Sequence, residues 1–557
     1  MFSRADFQGS TICFLLEVEF ASRTWYFSSF PIDLSSDDGD RRYVGGLENF
    51  TLSETSDMLG VDLEGNSFST AVIFPDLDMV ANWRSGIVIE GQPAELSFVL
   101  VRDGVSLHTY EERELILSGV VEQPVFGDPM EHVGFCSFTV SRPPWGSAAA
   151  LLNPDTQITP GIFAGCDPSA DGKYMPIVFG GNVKRITTWG ASPLDPIYST
   201  PAYAIEQYNL FGGRPKLLIS YGEVEATSVR VIDSWGRSDV FSVETASDTR
   251  GNVYSYVNIF AALAVMYVPT EVTVAAVPVP QDPEWWVAWE TGGGMRNPFG
   301  DGSLEGGGDL LLYILQSGGL EVDVQSFVSL APILNTYRFH GYVNDPDLDG
   351  WTYASENLIP FLPIEIRNGP RGIKAILALL YATISPVRPM EVIEVNPDFY
   401  ISGPITTETE TTEIYNDISL QFGRVGTAPP DTLMSFARIG EGLEGDYQEE
   451  NDAFAAFSQQ RYGIKKQSVE SEMIYDQNIA GRVLRFLLRS QAFPIRTIEI
   501  SGSSKYGYVQ IGDAVQLSGG VWDKMIVICV KKIWDGFGWG FTFAFEDTPL
   551  FLDRYDL

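Results

Sequence analysis

The sequence is poor in the residues that most often carry catalytic or metal chemistry. Its 557 residues include three histidines and four cysteines, without a CxxC pair or a cysteine beside a histidine at a metal-ligand spacing. These residues are His108, His132 and His340, and Cys13, Cys136, Cys166 and Cys529. The sequence therefore offers few residues from which to build a histidine-based triad or a zinc site. The scattered cysteines are expected to be small core residues.

Basic residues are also scarce, since 36 Lys and Arg stand against 73 Asp and Glu and give a formal net charge of −37. Such a charge repels phosphate and argues against wrapping nucleic acid or lying on an anionic membrane. The longest apolar run, residues 259–268, ends at Pro269 and is too short to cross a bilayer. The first twenty residues lack the basic region, apolar core and cleavage site of a secretory signal. We therefore expect a chain that is made in a cytoplasm and inserts into no membrane.

Apolar and aromatic residues, by contrast, are abundant. Hydrophobic residues make up 45% of the chain and charged residues 20%, and there are 34 Phe, 24 Tyr and 12 Trp. This composition predicts an ordered chain with ample apolar surface to bury. Because the chain is too long for a single core, about three to five domains are expected.

Short runs of β-type residues dominate both ends of the chain. Residues 1–145 are predicted to be a β sandwich or barrel, ended by the consecutive prolines of "SRPPWG". Residues 146–280 form a second β-rich domain, closed by the extended linker "VPVPQDP". Residues 390–557 return to strands, with an acidic, glycine-containing loop at "IGEGLEGDYQEEND". The predicted fold class is therefore mainly β and multidomain.

Helical patterns are found in the predicted mixed α/β insert, residues 281–389, and once in the last domain. In the insert, "GGGDLLLYILQSG" predicts a helix capped by Asp309, and "PRGIKAILALLYATI" predicts a second from the helical spacing of its apolar residues. In the last domain, "YDQNIAGRVLRFLLRSQAF" predicts an amphipathic helix. Its apolar face would carry Ile479, Val483, Phe486 and Leu487, and its opposite face Arg482, Arg485 and Arg489.

One stretch, "DPDLDGWTYASE", has the residue pattern of a calcium-binding loop. Asp345, Asp347 and Asp349 alternate before a glycine, and Glu356 stands at the twelfth position. However, the residues before it favour a strand over the incoming helix of an EF-hand, and a proline follows the first aspartate. The alternative interpretation is a polar turn in which Asp349 caps a helix beginning near residue 351. We favour the turn, and we predict no cofactor and keep these four residues as a weak metal candidate.

Three further patterns suggest chemistry without specifying it. The glycine-rich "TGGGMRNPFGDGSLEGGGD" lacks the Lys-Ser/Thr ending of a phosphate loop and the dinucleotide fingerprint, so a flexible connection into a helix is preferred. The tryptophans of "PEWWVAWE" could stack on sugar rings, but burial at an interface is the better interpretation. Acidic residues always permit a carboxylate pair for glycoside hydrolysis, and nothing in the sequence selects one. We therefore predict that the chain is not an enzyme.

The C-terminal arrangement resembles the second tube-like domain of bacteriophage tail hub proteins. It consists of the helix "DQNIAGRVLRFLL", the strand after "FPIRTIEI", the turn "YVQIGDAVQLS" with Gly512 and Asp513, and a final strand pair. The first 140 residues, with "LLEVEF", "YVGGLENFTLS" and "AELSFVLV", resemble the N-terminal β-domain of hub and tail-tip proteins from long-tailed phages and gene transfer agents. The segments "DGKYMPIVFGGNV" and "SENLIPFLPIEI" are also similar to such tail proteins.

This resemblance implies a structural virion protein with two tube-like β-domains, at the distal end of a phage tail. Three copies would offer six barrels, residues 1–145 alternating with residues 390–557, to a hexameric tail tube, and would meet a threefold fibre or tip on the other side. The implied partners are two further copies, the tail tube or distal tail hexamer, and the central fibre or tip proteins. DNA would pass through an acidic or neutral lumen without specific binding. The arginines of the C-terminal helix would point away from that lumen, toward carboxylates.

Two other functions remain open from the residues. The first is a polysaccharide-binding or polysaccharide-degrading β-protein, for which a monomer would be acceptable. The second is a hub that carries a cell-wall hydrolase in the insert, although the insert shows no catalytic constellation. Oligomeric state separates the first alternative from a hub, since a hub should be a trimer.

Overall fold

The computed structural model describes most of the chain and shows a mainly β, multidomain protein, which confirms the predicted fold class. The described residues are 2–20, 22–55, 61–62, 67–73, 88–126, 135–141, 149–180, 199–206, 216–232, 238–259, 285–289, 293–378, 391–407, 413–423, 431–434, 446–519, 523–536 and 538–546. The predicted linker "VPVPQDP" and all but the first residue of "SRPPWG" lie outside them.

Among the described residues of the first 141, there are a short helix and eleven strands. They are α1 (Arg4–Phe7), β1 (Thr11–Phe20), β2 (Arg23–Ser28), β3 (Ile32–Leu34), β4 (Arg41–Gly45), β5 (Leu47–Thr55), β6 (Val61–Asp62), β7 (Ser67–Ile73), β8 (Pro93–Arg102), β9 (Val105–Ser106), β10 (Glu114–Phe126) and β11 (Phe135–Ser141). All of these strands except β6 belong to one sheet, in which they pair in the path β3–β4–β2–β1–β8–β10–β11–β7–β5, with β9 beside β8. We call α1 and these ten strands the N-terminal β unit.

The middle of the chain contains a small closed barrel. Its strands are β13 (Ser199–Glu206), β14 (Lys216–Tyr221), β15 (Ser228–Ile232), β16 (Ser238–Ser247), β17 (Val253–Asn258) and β18 (Trp285–Trp289), following β12 (Ile177–Phe179). The last strand pairs with both β13 and β15, so the barrel extends past residue 280, where the sequence predicted a boundary. Trp289 is buried there and donates its indole N–H to the Thr200 hydroxyl at 3.2 Å, which places this tryptophan in the core and not on a sugar-binding surface.

The next segment mixes helices and strands, as predicted. It contains α2 (Gly307–Ser317), α3 (Val324–Leu334), β19 (Gly341–Val343), α4 (Gly350–Asn357), β20 (Ile364–Gly369) and β21 (Gly372–Leu377), with a 3-10 turn at Ile359–Phe361; another 3-10 turn, Pro154–Thr156, precedes β12. Strand β19 pairs with β12, and β20 pairs with β21 and, in parallel, with β6. This small sheet therefore ties β6, which comes from the first part of the chain but lies outside the N-terminal β unit, to the insert.

One helix prediction and one cap prediction in this segment are wrong, while the predicted helix α2 is present. Residues 372–377 form strand β21, because a strand buried on both faces has the same continuous apolar pattern as a buried helix. Asp309 does not cap α2, since the helix begins two residues earlier and the Asn335 side-chain oxygen accepts from the amides of Gly308 and Asp309. The Asp309 carboxylate instead accepts from the Asn297 amide at 2.7 Å.

The last part of the chain contains ten strands and two helices among the described residues. They are β22 (Glu391–Glu394), β23 (Phe399–Ile401), β24 (Thr406–Thr407), β25 (Asp417–Phe422), β26 (Asp431–Met434), α5 (Asp446–Tyr462), β27 (Lys466–Glu470), α6 (Gln477–Gln491), β28 (Ile495–Gly502), β29 (Ala514–Ser518), β30 (Ile526–Trp534) and β31 (Trp539–Glu546), with a 3-10 turn at Ser504–Tyr506. We call β22–β24 and β28–β31 the C-terminal β unit; β25, β26 and β27 form a separate sheet.

The predicted helix α6 is present, but its surroundings differ from the prediction. Asp476 caps it, and Ile479 and Val483 are buried as expected. Arg489, predicted on the polar face, is 2% exposed and lies over the Phe454 ring at 5.5 Å. The reason is helix α5, which begins within the segment predicted to be an acidic loop and covers α6 on that side. The prediction of a loop is therefore wrong from residue 446 onward.

Candidate assembly site at the joint of the two terminal units

The N-terminal and C-terminal β units are joined by direct strand pairing. Strand β5 runs antiparallel to the second half of β30, in the register Leu52 with Trp534 through Thr55 with Lys531. The first half of β30 pairs with β29 instead. Strand β30 therefore belongs to both units, and the two units form one continuous 17-stranded sheet.

Aromatic side chains fill the core on both sides of this pairing. Trp534 of β30 lies 5.2 Å from Phe14 and stacks on Phe50 at 6.5 Å, both of which belong to the N-terminal β unit. It also meets Trp539 edge-on at 5.0 Å. All four side chains are at least nine-tenths buried, and a single hydrophobic cluster runs through both units. Burial on this scale is what a permanent interface requires.

A buried lysine fixes the next part of the joint. Lys532 is 5% exposed and donates from Nζ to the Gly507 carbonyl at 2.7 Å, while its ammonium lies 4.1 Å above the Trp539 ring. A buried charge is tolerated only with such partners. Gly507 is needed there, because a Cβ would lie 2.5 Å from the Phe7 ring. The lysine therefore anchors the 3-10 turn Ser504–Tyr506 close to the N-terminal β unit.

Helix α1 crosses from one unit to the other. Phe7 is 2% exposed and packs against Phe98 of its own unit and Tyr508 of the other, at 6.2 and 6.1 Å. Arg4 pairs with Glu391 of β22 at 3.1 Å. Because both of these charged side chains are more than 40% exposed, the ion pair adds orientation more than stability. The aromatic contacts carry most of the attachment.

A buried polar cluster stiffens the sheet of the N-terminal β unit. The Glu17 carboxylate accepts from the Tyr43 hydroxyl at 2.7 Å and the Tyr110 hydroxyl at 3.1 Å, and lies 3.5 Å from Arg113. The Tyr110 ring lies between two guanidinium groups, those of Arg113 at 3.7 Å and Arg41 at 3.9 Å. Burial, helped by the Glu17 charge, raises the pKa of Tyr110 to about 12. The cluster therefore holds the loop that carries Tyr110 to the sheet.

The residues of the calcium-like loop form a turn and a helix cap. Strand β19 leads into it, and Asp345 accepts from the amide of Asp347 at 3.0 Å. Asp349 caps α4, accepting from the Thr352 amide at 2.9 Å, which confirms the predicted cap. Glu356 lies exposed on that helix. These contacts favour the turn interpretation. That the loop binds no metal ion stays a prediction, which a calcium titration tests.

Gly350, the turn glycine of the calcium pattern, has a different role. It is the first residue of α4, and a Cβ there would lie 2.9 Å from the Gly318 Cα at the end of α2. The glycine is therefore required for close helix packing, which explains its presence without an ion.

The other sequence candidates are scattered in the structure. Cys13 and Cys529 are buried and Cys166 is partly exposed, as free thiols, and His340 is buried. Over the described ranges, no three His, Cys, Asp or Glu side chains are grouped closely enough to hold a metal ion. His132 and the side chain of Cys136 lie outside the description. None of the helices in those ranges is long and apolar enough to cross a membrane.

Comparison with known proteins gives distant structural likenesses. No protein-family model matches the chain, and no curated protein matches it. Over 96% of its length it is similar to 96% of a tail protein from Neisseria meningitidis MC58, with 8% identity and a TM-score of 0.33. Over 68% it is similar to 86% of a chain from the virion of a native gene transfer agent particle, with 11% identity and a TM-score of 0.36. A chain of the phage P2 baseplate in its activated conformation shares 10% identity over 68% of this chain and 88% of its own, with a TM-score of 0.17.

Proposed function

We propose that this chain is a structural virion protein, a hub at the distal end of a phage tail. The single observation that carries the proposal is the pairing of β5 with β30, which sets two β units side by side in one sheet. A hub must match a sixfold tube to a threefold tip, and two adjacent β units in each of three chains supply six positions with threefold symmetry.

The rigidity of the joint supports this assignment. If the two units were joined only by a flexible linker, six of them would not hold fixed positions around a ring. Here a shared strand, a common aromatic core and the buried Lys532 anchor make the pair one body. The closed barrel and the mixed insert lie between the units in sequence, and we expect their exposed surfaces to meet partners above or below the ring.

The charge of the chain suits a DNA passage. Acidic residues outnumber basic ones by about two to one, and the net charge is −37. A lumen lined by carboxylates repels phosphate and lets DNA slide without being held. We further propose that the chain meets the tail tube hexamer on one side and the central fibre or tip on the other, in a virion assembled in the host cytoplasm, and that it has no catalytic activity.

Native mass spectrometry and cryo-electron microscopy test the assembly. We expect a particle of three times the 61.5 kDa chain mass, with six β units alternating around a threefold axis and an acidic or neutral lumen. A monomer, another symmetry or a strongly basic lumen would contradict the hub. Hydrolysis of peptidoglycan or host polysaccharide that is lost on changing one carboxylate would contradict the absence of catalysis.

A further inference from the structure

The two most exposed large apolar side chains in the described part of the chain are those of Val105 and Ile464, at 68% and 63%. Val105 begins β9 in the N-terminal β unit, and Ile464 lies in the turn between α5 and β27. Single exposed apolar residues are common on protein surfaces and need no partner. These two are different, because each stands among charges of one sign and the two signs are opposite.

The turn that carries Ile464 is basic within an acidic chain. Arg461, Lys465 and Lys466 lie within six residues that contain no acidic residue, although acidic residues outnumber basic ones by 73 to 36 in the whole chain. Lys466 lies 4.0 Å from the buried Asp417 carboxylate, and its side chain is still 67% exposed. We call residues 461–466 the basic turn. It presents one apolar side chain between cationic groups.

A buried asparagine fixes the shape of the basic turn. The Asn416 side chain is fully buried, accepts from the Lys465 amide at 2.8 Å and donates to the Gly463 carbonyl at 2.9 Å. Gly463 has a φ of +74°, which a glycine adopts without strain. Because the backbone on both sides of Ile464 is held in this way, a partner would have to order little of the turn on binding.

The segments around Val105 form an acidic surface. Residues 33–42 and 103–112 contain seven acidic and two basic residues. The two segments lie side by side, since the Tyr110 amide donates to the Ser35 carbonyl at 2.9 Å. We call them together the acidic patch. Its exposed carboxylates include those of Asp37, Asp38, Glu111 and Glu112.

The acidic patch combines charge with an apolar surface, as the basic turn does. Leu107 is 42% exposed two residues after Val105, so the patch offers two apolar side chains beside its carboxylates. A hydrogen bond from the Ser36 hydroxyl lowers the pKa of Glu111, which therefore stays charged at neutral pH. The patch includes most of β3, the strand that ends the path running from the joint at β5 through the N-terminal β unit.

We propose that the basic turn of one copy of this chain binds the acidic patch of a neighbouring copy. Ile464 packs on Val105 and Leu107, while the two lysines face the carboxylates of the patch. Charge complementarity selects this partner, because a second copy also carries a net charge of −37 and repels the first except where opposite signs meet. The two surfaces differ, so the contact runs head to tail and can close a ring. The contact rests on the proposed function in one respect, which is that the hub assembles from several copies.

Charge reversal on each side, and then on both, tests the contact. Self-association of the whole chain is measured by sedimentation equilibrium and by mass photometry over a dilution series. Lys465→Glu/Lys466→Glu and Asp37→Lys/Asp38→Lys should each weaken association by at least about tenfold, because like charges then meet. The chain with all four changes should return to within about threefold of the original affinity, since the facing charges are opposite again. Added salt should weaken association of the original chain.

Two matched controls separate the contact from general effects. Lys173→Glu/Lys524→Glu reverses two exposed lysines outside both surfaces, makes the net charge equally more negative, and should leave association within about twofold. Ile464→Ser should weaken association by about three- to tenfold, whereas Val253→Ser, at a 40% exposed position on the barrel, should change it by less than about twofold. Circular dichroism and the melting temperature show that each variant remains folded.

Stoichiometry separates this contact from the threefold hub. If the original chain is a trimer and both charge reversals remain trimers of equal affinity, the contact is wrong and the hub stands. If the reversals and their combination behave as expected in a particle that is not a trimer, the contact stands and the hub is wrong. A monomeric original chain would contradict both. A fourfold variant that fails to reassociate would overturn the contact, as would binding to phosphatidylglycerol vesicles that Lys465→Glu/Lys466→Glu abolishes.

Discussion

Removal of the Trp534 side chain should open the joint between the two terminal β units. Trp534→Ala deletes the ring that contacts Phe14 and Phe50 across the joint and Trp539 within its own unit. Replacing a buried aromatic side chain by alanine lowers the free energy of unfolding by about 3–5 kcal/mol. Since about 1.4 kcal/mol corresponds to a tenfold change in an equilibrium constant, the joint should open roughly a hundredfold more often or more.

Hydrogen–deuterium exchange measures this opening directly. Strand β5 pairs with β7 on one side and with β30 on the other, so pairing with β30 protects those amides of residues 52–55 that face it. We expect the exchange of these amides to accelerate by about two orders of magnitude in Trp534→Ala. Trp534→Phe should have a much smaller effect, because it keeps an aromatic ring and removes an indole N–H that has no partner in the described part of the chain.

A control of similar size shows whether the effect is local. Phe493 is 2% exposed and packs on Phe454 of helix α5, away from the joint. Phe493→Ala should leave exchange at residues 52–55 within about threefold of the original rate, provided that opening is local. If Trp534→Ala remains folded and exchanges no faster there than Phe493→Ala, then aromatic packing does not hold the units together and our account of the joint fails.

Three further outcomes follow from single positions. Gly180→Ala should destabilise the protein by about 2–5 kcal/mol in thermal unfolding, since Gly180 has a φ of +67° and a Cβ would overlap the His340 ring. The control Gly251→Ala, at a φ of +89° with open space around the Cβ, should lower the free energy of unfolding by only about 1 kcal/mol. Equal losses in the two variants would refute the packing argument. Burial lowers the pKa of His340 to about 4, so as the pH falls this histidine is protonated in the unfolded chain before it is protonated in the folded protein. The free energy of unfolding should therefore decrease as the pH is lowered from about 6.5 to about 4. His340→Gln should flatten this pH dependence, and an unchanged profile in that variant would contradict the role of His340. Asp349→Ala should lower the free energy of unfolding by about 1 kcal/mol, because it removes the cap of helix α4. If calorimetry shows submillimolar calcium binding, and if Asp347→Ala abolishes that binding, the turn interpretation is wrong.

Local sequence patterns predicted most of the strands at both ends of the chain. Strands such as β1 and β8 are ten residues long, contain β-branched and aromatic residues, and are bounded by turn residues. These local features are enough to predict that such segments are strands. The cap at Asp349 was also predictable, because capping depends on residues within one turn of each other.

The errors have a common physical cause, which is tertiary context. Strand β21 has the apolar run of a helix and is a strand because β20 lies beside it. Helix α5 has little apolar periodicity and is held by a buried network, in which the Asn416 amide donates to the Ser458 hydroxyl at 3.0 Å. The pairing of β5 with β30 could not be predicted from local sequence, since nothing in residues 52–55 indicates a partner strand near residue 530.

The shared strand β30 has a consequence for how the protein is made. Residues 52–55 leave the ribosome about 480 residues before residues 531–534, which at about 5–20 residues per second is a wait of roughly half a minute or more. During synthesis the N-terminal β unit must therefore persist with the edge of β5 uncovered, and an uncovered edge invites pairing with a neighbouring chain. Any polypeptide truncated before residue 531 keeps that edge open. Premature termination should thus yield aggregates and not a stable half, and the yield of folded protein should depend on how well the host shields nascent chains.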